Sequence, residues 1–470
     1  MDYDVIVVGA GPAGYMCAYG LAKEDPSKKI LVIDRGHEIS KRNCPVLQHK
    51  ISCCPKNKLL GQSCLPSCSM TCGFGGAGAF SDGKFNITTQ FGGWLSDYIS
   101  NEKLLSLIEE CDKVNIKFGA TADITDPYTE EVRKIEQKAI GNGLLLLRAE
   151  VRHLGTDQNL MILSNIYNHL LSCGVDFLFC TKVEDILVED GSAKGVVLEG
   201  GKKITCHDLV MAVGREGSTF LMNTLKKYGV DFVNNRVDIG VRVETSDIIM
   251  QDINRYLYEG KFLYTTSQGT VVRTFCSNPS GHVVIENDDG VILANGHSYS
   301  DPKLGSQNTN FALLVSHKFS EPFSDPNQFA KDVASLANRL SCGSVIIQKY
   351  GDLKRGRRST PERIHKGFIH PTLPEAVPGD LGLCLPYKTL QSIIDMIEAL
   401  NFVTPGIANE HTLLYGVEAK FYSARPKMDS LLKTQIDHLY CGGDGAGVTR
   451  GLAQAGASGL LIAESILKAR

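Results

Sequence analysis

The stretch CLPSCSMTCGFGGAGAFSDGK, from Cys64 to Lys84, has three cysteines spaced four apart that run directly into a loop with five glycines. Clustered thiols bind a soft metal, cycle as a dithiol pair, or pack without chemistry. Glycines let the backbone turn sharply and come close to a ligand. Six of the fifteen cysteines (Cys44, Cys53, Cys54, Cys64, Cys68 and Cys72) fall within 29 residues. In a reducing compartment that density suits metal or redox chemistry better than a disulfide framework. The candidate metal ligands are Cys44, Cys53, Cys64 and Cys68, with Cys54 and Cys72 as alternates. Four thiolates satisfy an iron–sulfur cluster or zinc equally. The C-x3-C spacing matches neither a zinc ribbon nor a ferredoxin run. Idle thiols, and dithiol cycling at a pair such as Cys68 and Cys72, therefore stand beside the metal reading. The nine other cysteines are scattered and read mostly as buried small apolar residues.

A second constellation opens the chain: DYDVIVVGAGPAGYMCAYGLAKEDPSKKILVIDRG. The β-branched run Val5 to Val8 predicts a strand. Gly9, Gly11 and Gly14 follow in G-x-G-x-x-G spacing, with Pro12 and Ala13 opening a helix to about Lys23. A second strand, Ile30 to Ile33, ends in Asp34 and Arg35. The first glycine makes the tight turn, the second admits a pyrophosphate, and the third lets helix pack on strand. The helix N-terminus offers N–H groups and partial positive charge to phosphate. Asp34, twenty residues after Gly14, stands where a carboxylate accepts from ribose hydroxyls.

That motif alone does not separate FAD from NAD. HLYCGGDGAGVTRGLAQAGASGLLIAESIL, near the C-terminus, supplies a second glycine turn at Gly443, Asp444 and Gly445, followed by a helix of small residues. It suits the ribityl and phosphate side of FAD. A third block, from VDFLFC to MAVGREG, reads as strand, hairpin, strand. It places the Val183 backbone against an adenine and Gly214 close to the dinucleotide. Together these blocks resemble the glutathione-reductase-type FAD-binding fold. GFGGAGAFSDGKFN, RHLGTD, LLYGVEAK and GGDGAGVTRGLAQA resemble more narrowly the family of FAD-dependent dehydrogenases. In relatives of that kind a glycine–serine loop lies against the flavin, which makes Gly75, Gly76 and Ser81 cofactor candidates.

The expected fold class is α/β, with a discontinuous Rossmann-like FAD-binding domain (1–92, 145–220 and 405–470). Residues 93–144 form a helical insertion. Residues 221–404 form a second domain of mixed sheet plus helices that handles substrate. The expected activity is an oxidoreductase, a dehydrogenase or reductase, moving hydride through flavin N5 to or from a small organic substrate. An iron–sulfur or dithiol-linked electron-transfer flavoprotein, and a non-catalytic binder on the same scaffold, are the alternatives. The sequence has no second G-x-G-x-x-G for NAD(P)H, so the electron donor is NAD(P)H visiting transiently, an electron-carrier protein, or the substrate. VRHLGTD puts Arg152 and His153 just before a helix, as carboxylate binder and proton donor. LKRGRRST clusters Lys354, Arg355, Arg357 and Arg358, as an anion site or a solvated loop.

The 470 residues are 43% hydrophobic and 21% charged, with net charge −3. That balance gives no support to a nucleic-acid or membrane-surface partner. The chain opens on a strand and lacks an apolar run of about 18 residues. The expected location is cytoplasmic.

Overall fold

The computed structural model describes residues 1–45, 50, 67–81, 83–154, 156–257, 260–288, 290–299, 302–320, 322–323 and 325–469. Cys53, Cys54 and Cys64 lie outside them. The chain divides into two compact units: 1–125, 150–235 and 423–470 form the first, and 126–149 with 236–422 the second.

The first unit is built on a seven-stranded sheet. Its parallel part runs Asp176–Leu178, Ile30–Ile33, Tyr3–Val8, Lys203–Met211 and Leu439–Cys441. Val5 to Val8 and Ile30 to Ile33 are buried throughout, as expected of strands covered on both faces. The strand Lys203–Met211 also pairs antiparallel with Ser192–Leu198, which pairs with Val183–Glu189. The expected strand–hairpin–strand block is thus present.

Three helices pack together in this unit, and small residues set their spacing. A Cβ on Gly20 of the helix Pro12–Glu24 would stand 2.9 Å from the Ala463 Cβ of the helix Leu452–Lys468. A Cβ on Gly459 would strike the Ala13 carbonyl. The third helix, Asn101–Lys117, begins at Ser100, whose hydroxyl accepts from the Lys103 amide at 3.2 Å. It buries Leu104, Leu107, Ile108, Cys111 and Val114, one stripe at helical spacing.

The second unit holds an eight-stranded, mostly antiparallel sheet. Its centre is Val237–Ser246 between Asn308–His317 and Leu413–Lys420. Val237, Ile239, Val241 and Val243 point into a core with Ile393, Met396, Ile397 and Leu400 of the helix Tyr387–Val403. The alternate residues Asp238, Arg242 and Glu244 are buried too, on the opposite face.

The division differs from the sequence expectation at every boundary. Residues 93–144 do not form one insertion. The helix Asn101–Lys117 packs in the first unit, with the Cys111 Sγ 3.0 Å from where a Gly456 Cβ would stand. The helix Glu130–Ile140 buries Val132, Ile135 and Ala139 in the second core. Residues 405–422 belong to the second unit because Leu413–Lys420 is a strand of its sheet. The long segment of the second unit starts at Arg236, just before the strand Val237–Ser246, so residues 221–235 stay with the first.

Candidate functional site

The glycine-spaced turn after the first strand is held by packing at two of its three glycines. Gly9 has φ +106°, and a Cβ there would strike the Ala212 carbonyl. A Cβ on Gly14 would strike the carbonyl of Gly9. Gly11 is different. Its φ is −74°, and a Cβ on it would meet only the Gly76 Cα, at 3.8 Å. Neither backbone conformation nor protein packing demands glycine there. Glycine there leaves the turn open to a ligand lying across it, so the residues present fit a dinucleotide.

Among the helices of this unit, the two that start beside the glycine loop lack side-chain caps. Gly11 caps the helix Pro12–Glu24 and Gly451 caps Leu452–Lys468, and neither first turn carries an acid. The first intrahelical bonds are Tyr15 N–H to Gly11 O at 2.9 Å and Ala455 N–H to Gly451 O at 3.1 Å. The Ala13, Gly14, Ala453 and Gln454 amides precede them, and an anion suits such amides.

The glycine loop folds onto this turn. Gly75 N–H donates to the Ala10 carbonyl at 2.8 Å, and residues Gly76–Phe80 form a short 3-10 helix. A Cβ on Gly78 would strike Leu452, the first residue of the C-terminal helix. The glycine half of Cys64–Lys84 thus lies against both helix starts. Asn159 clamps the loop, its side-chain amide donating to the carbonyls of Gly78 at 2.8 Å and Ala79 at 3.2 Å. Arg42 holds the approach, donating to the carbonyls of Phe74 at 2.6 Å and Ser69 at 2.8 Å. Burial lowers its pKa to about 10. The sequence reading missed both residues, because their partners are carbonyls remote in the chain.

Asp34 joins the same assembly. Its Oδ2 accepts from Ala10 N–H at 2.8 Å, and its Oδ1 from Gly36 and Gly73 N–H at 2.7 and 2.8 Å. Oδ2 keeps a lone pair for a ribose hydroxyl. Arg35 turns towards Cys72, with Nε 3.3 Å from Sγ, and towards Glu216, at 3.4 Å. The Ser81 hydroxyl closes its own turn, donating to the Gly78 carbonyl at 2.8 Å and accepting from Gly83 N–H.

Further along, Thr181 N–H donates to Asp34 O, and Val183 begins the next strand, buried against its sheet. Gly214 has φ +65°, and a Cβ on Gly445 would strike its backbone. Gly443, at φ +73°, donates N–H to the Ser458 hydroxyl at 3.0 Å. Asp444 Oδ1 accepts from the Thr449 hydroxyl at 2.7 Å, and its Oδ2 lies 3.8 Å from Arg215 Nε. Gly9, Gly11, Pro12, Ala13, Gly14, Asp34, Gly75 and Gly76 therefore form one assembly. Gly214, Gly443, Asp444 and Gly445 form the adjoining one.

Arg152 does not have the role its position suggested. Its guanidinium is buried in a two-pronged pair with Asp112, at 2.6 and 2.7 Å, and donates to the Thr121 and Asp123 carbonyls. Four of its five N–H groups are engaged inside the protein, which leaves no carboxylate-binding face. His153 ends the strand Glu150–His153 with its side chain exposed. The basic cluster reads as a solvated loop of separate ion pairs: Lys354 with Glu398 at 2.6 Å, Arg355 with Glu410 at 3.0 Å, and Arg357 with Asp352 at 2.6 Å.

Of the metal candidates, Cys44, Cys68 and Cys72 lie among the described residues, where they do not meet as a three-ligand group. Cys53 and Cys64 lie outside those residues. Of the nine scattered cysteines, Cys17, Cys111, Cys206, Cys384 and Cys441 are buried, and burial raises every one of these thiol pKa values. Cys173 is half-buried and Cys180, Cys276 and Cys342 are exposed, so the expectation of mostly buried thiols holds for five of the nine.

In the second unit the sequence reading missed a buried polar layer on one face of the sheet. Arg242, with no exposed surface, donates Nε to Asn310 Oδ1 at 2.9 Å and Nη2 to the Cys276 carbonyl at 2.8 Å, and pairs with Glu418 at 3.4 Å. Glu244 accepts from the Tyr415 and Thr372 hydroxyls and from Asn308, and burial raises its pKa. The signal was in RVDIGVRVE: charged residues on alternate positions of a strand otherwise fit for a core.

Two family models match this architecture. FAD dependent oxidoreductase covers residues 4–237, and FAD-dependent protein, C-terminal domain-like, covers residues 237–421. The chain belongs to the FAD-dependent oxidoreductases, and FAD is its cofactor. It is 29% identical over 488 residues to an uncharacterized protein of Clostridium beijerinckii, spanning 98% of this chain and 80% of that one. Among solved structures, formate oxidase of Aspergillus oryzae has a TM-score of 0.44 at 13% identity, over 100% of this chain and 98% of that one. The 3-ketosteroid-Δ4-(5α)-dehydrogenase of Rhodococcus jostii also has 0.44, at 12% identity, over 99% and 96%. Likeness at that level says nothing about the substrate of this chain. Among the described residues no helix is long and apolar enough to cross a membrane.

Proposed function

We propose that this oxidoreductase holds FAD in its first unit and uses it as a dehydrogenase or reductase of a small organic substrate in the cytoplasm. When bound, FAD supplies the hydride-accepting or hydride-donating N5. The amides of Ala13 and Gly14 receive the pyrophosphate over Gly11, and Asp34 Oδ2 takes a ribose hydroxyl. The Val183 backbone borders the adenine. Gly214, Gly443, Asp444 and Gly445 line the ribityl side, and Gly75 and Gly76 present backbone to the ring. The second unit is the substrate domain, and electrons come from NAD(P)H, a carrier protein or the substrate.

The observation that carries this reading is Gly11, a glycine that neither its backbone angles nor its neighbours require. The test is anaerobic titration of purified protein carrying FAD with NADH, NADPH, reduced ferredoxin and a panel of small dehydrogenase substrates, with iron counted on the same sample. The reading expects stoichiometric FAD, and loss of the visible flavin band with at least one organic reductant. Protein that takes up FAD but is reduced only by ferredoxin, with stoichiometric iron, would favour the electron-transfer alternative. Protein that takes up no FAD overturns the site assignment.

A further inference from the structure

We propose that His207, Asp208 and His438 form a binding site for a divalent transition-metal ion of the zinc class. His207 and Asp208 are neighbours on the strand Lys203–Met211. His438 immediately precedes the strand Leu439–Cys441, which pairs with it in parallel through Leu439 and Leu209. The pairing brings His438 to Asp208, 230 residues earlier in the chain, and to its neighbour His207.

Asp208 is only 5% exposed, and each of its carboxylate oxygens faces an imidazole. Oδ2 lies 2.8 Å from His207 Nδ1, and Oδ1 lies 2.9 Å from His438 Nδ1. The two rings meet edge to face with centroids 4.5 Å apart. One ligand atom from each residue lies within 4.8 Å of the others. Donors around a tetrahedral ion at about 2.0 Å stand about 3.3 Å apart. Side-chain rotations that draw the three atoms together by about 1.5 Å at most would give that spacing.

The backbone fixes His438 in place. It sits at φ +59°, a left-handed conformation that non-glycine residues seldom adopt. Its carbonyl accepts from Leu209 N–H at 2.8 Å, and Leu439 N–H donates to Ile436 O. The imidazoles of His207 and His438 are 45% and 38% exposed, so an ion reaches them from solvent and water completes its coordination. Two imidazoles with one carboxylate suit zinc, whereas calcium and magnesium prefer oxygen donors alone.

The position points to a structural ion. Asp208 lies level with Val5, four residues before the Gly9 turn, which is about 13 Å along a strand. The ion would clamp Lys203–Met211 to Leu439–Cys441, the strands that lead to Gly214 and Gly443.

The test uses protein carrying FAD and stripped of metal with a chelator. Zinc is titrated calorimetrically into wild type, His207→Gln and His438→Gln, bound zinc is counted after gel filtration, and FAD content is read on each sample. Wild type should hold one more zinc ion than either variant, or bind it roughly tenfold more tightly or better. Zinc should raise the Tm of wild type and leave the variants unchanged. Equal zinc counts, affinities and Tm shifts in all three proteins overturn the proposal. Zinc held by the cysteines alone gives that result, because those thiols survive both substitutions. His207 is exposed enough that its variant folds, so its result decides the matter if His438→Gln does not.

Discussion

The Asp34 carboxylate accepts the Gly73 amide at 2.8 Å, tying the end of the second strand to a loop 39 residues further along. The same side chain also takes the amides of Ala10 and Gly36. One carboxylate thus orients the dinucleotide turn and the glycine loop together, before any ligand binds.

Asp34→Ala should consequently weaken the protein even without FAD. Three amides lose a charged acceptor, and the expected loss is about 2–4 kcal/mol. Asp34→Asn should lose part of that, since its amide group points a donor at one of the N–H groups. Urea unfolding of the apoprotein measures both. An unchanged midpoint for Asp34→Ala contradicts this role.

Arg152→Met should act on stability and not on substrate binding. The Arg152–Asp112 pair is nearly solvent-free, so removing one partner strands a buried charge at a cost of about 3–5 kcal/mol. The double variant with Asp112→Leu should lose less than the sum of the two single losses. Thermal unfolding together with KM separates the roles. A raised KM at unchanged Tm would restore Arg152 as a substrate ligand.

His317 should contribute to acid sensitivity. It is held in the second unit with Nε2 3.0 Å from the Thr389 hydroxyl. Burial lowers its pKa, with Lys388 adding to the shift and Asp238 opposing it. The unfolded chain therefore takes up the proton first. Stability from this residue is full above the ordinary histidine value of about 6.5 and falls as pH drops through it. The slope is at most about 1.4 kcal/mol per pH unit. Burial lowers the pKa of His169 and His411 too, so they act in the same direction. His317→Gln should show a shallower loss of stability between neutral and mildly acid pH, measured by denaturant titration at each pH.

The dinucleotide half of the fold was legible because its rules are local. Val5 to Val8, the Gly9–Gly14 spacing and the strand ending in Asp34 sit within a few dozen residues, and steric limits on turn and helix fix their geometry. The units were harder to place. Leu413–Lys420 is a strand next to Val237–Ser246, and no property of either segment alone reveals that pairing. The same distance hid the Arg242–Glu418 and Arg152–Asp112 pairs, whose partners are 176 and 40 residues away. Arg152 looked reactive by type and position because its partner, on the helix Asn101–Lys117, could not be seen. Asp34 was singled out for a ligand, and its bonds to three backbone amides become visible only when the glycine loop folds back.

The central claim is that Gly11 is a glycine for the sake of FAD, and apoprotein titration with FAD on wild type and Gly11→Ala tests it most directly. The variant's backbone angles suit alanine, and the new Cβ has room beside Gly76. Its apo Tm should match wild type or rise slightly, through the less flexible unfolded chain. Its FAD affinity should fall by about tenfold or more, the equivalent of at least about 1.4 kcal/mol. A variant that binds FAD like wild type, or one whose apoprotein fails to fold, would contradict the account.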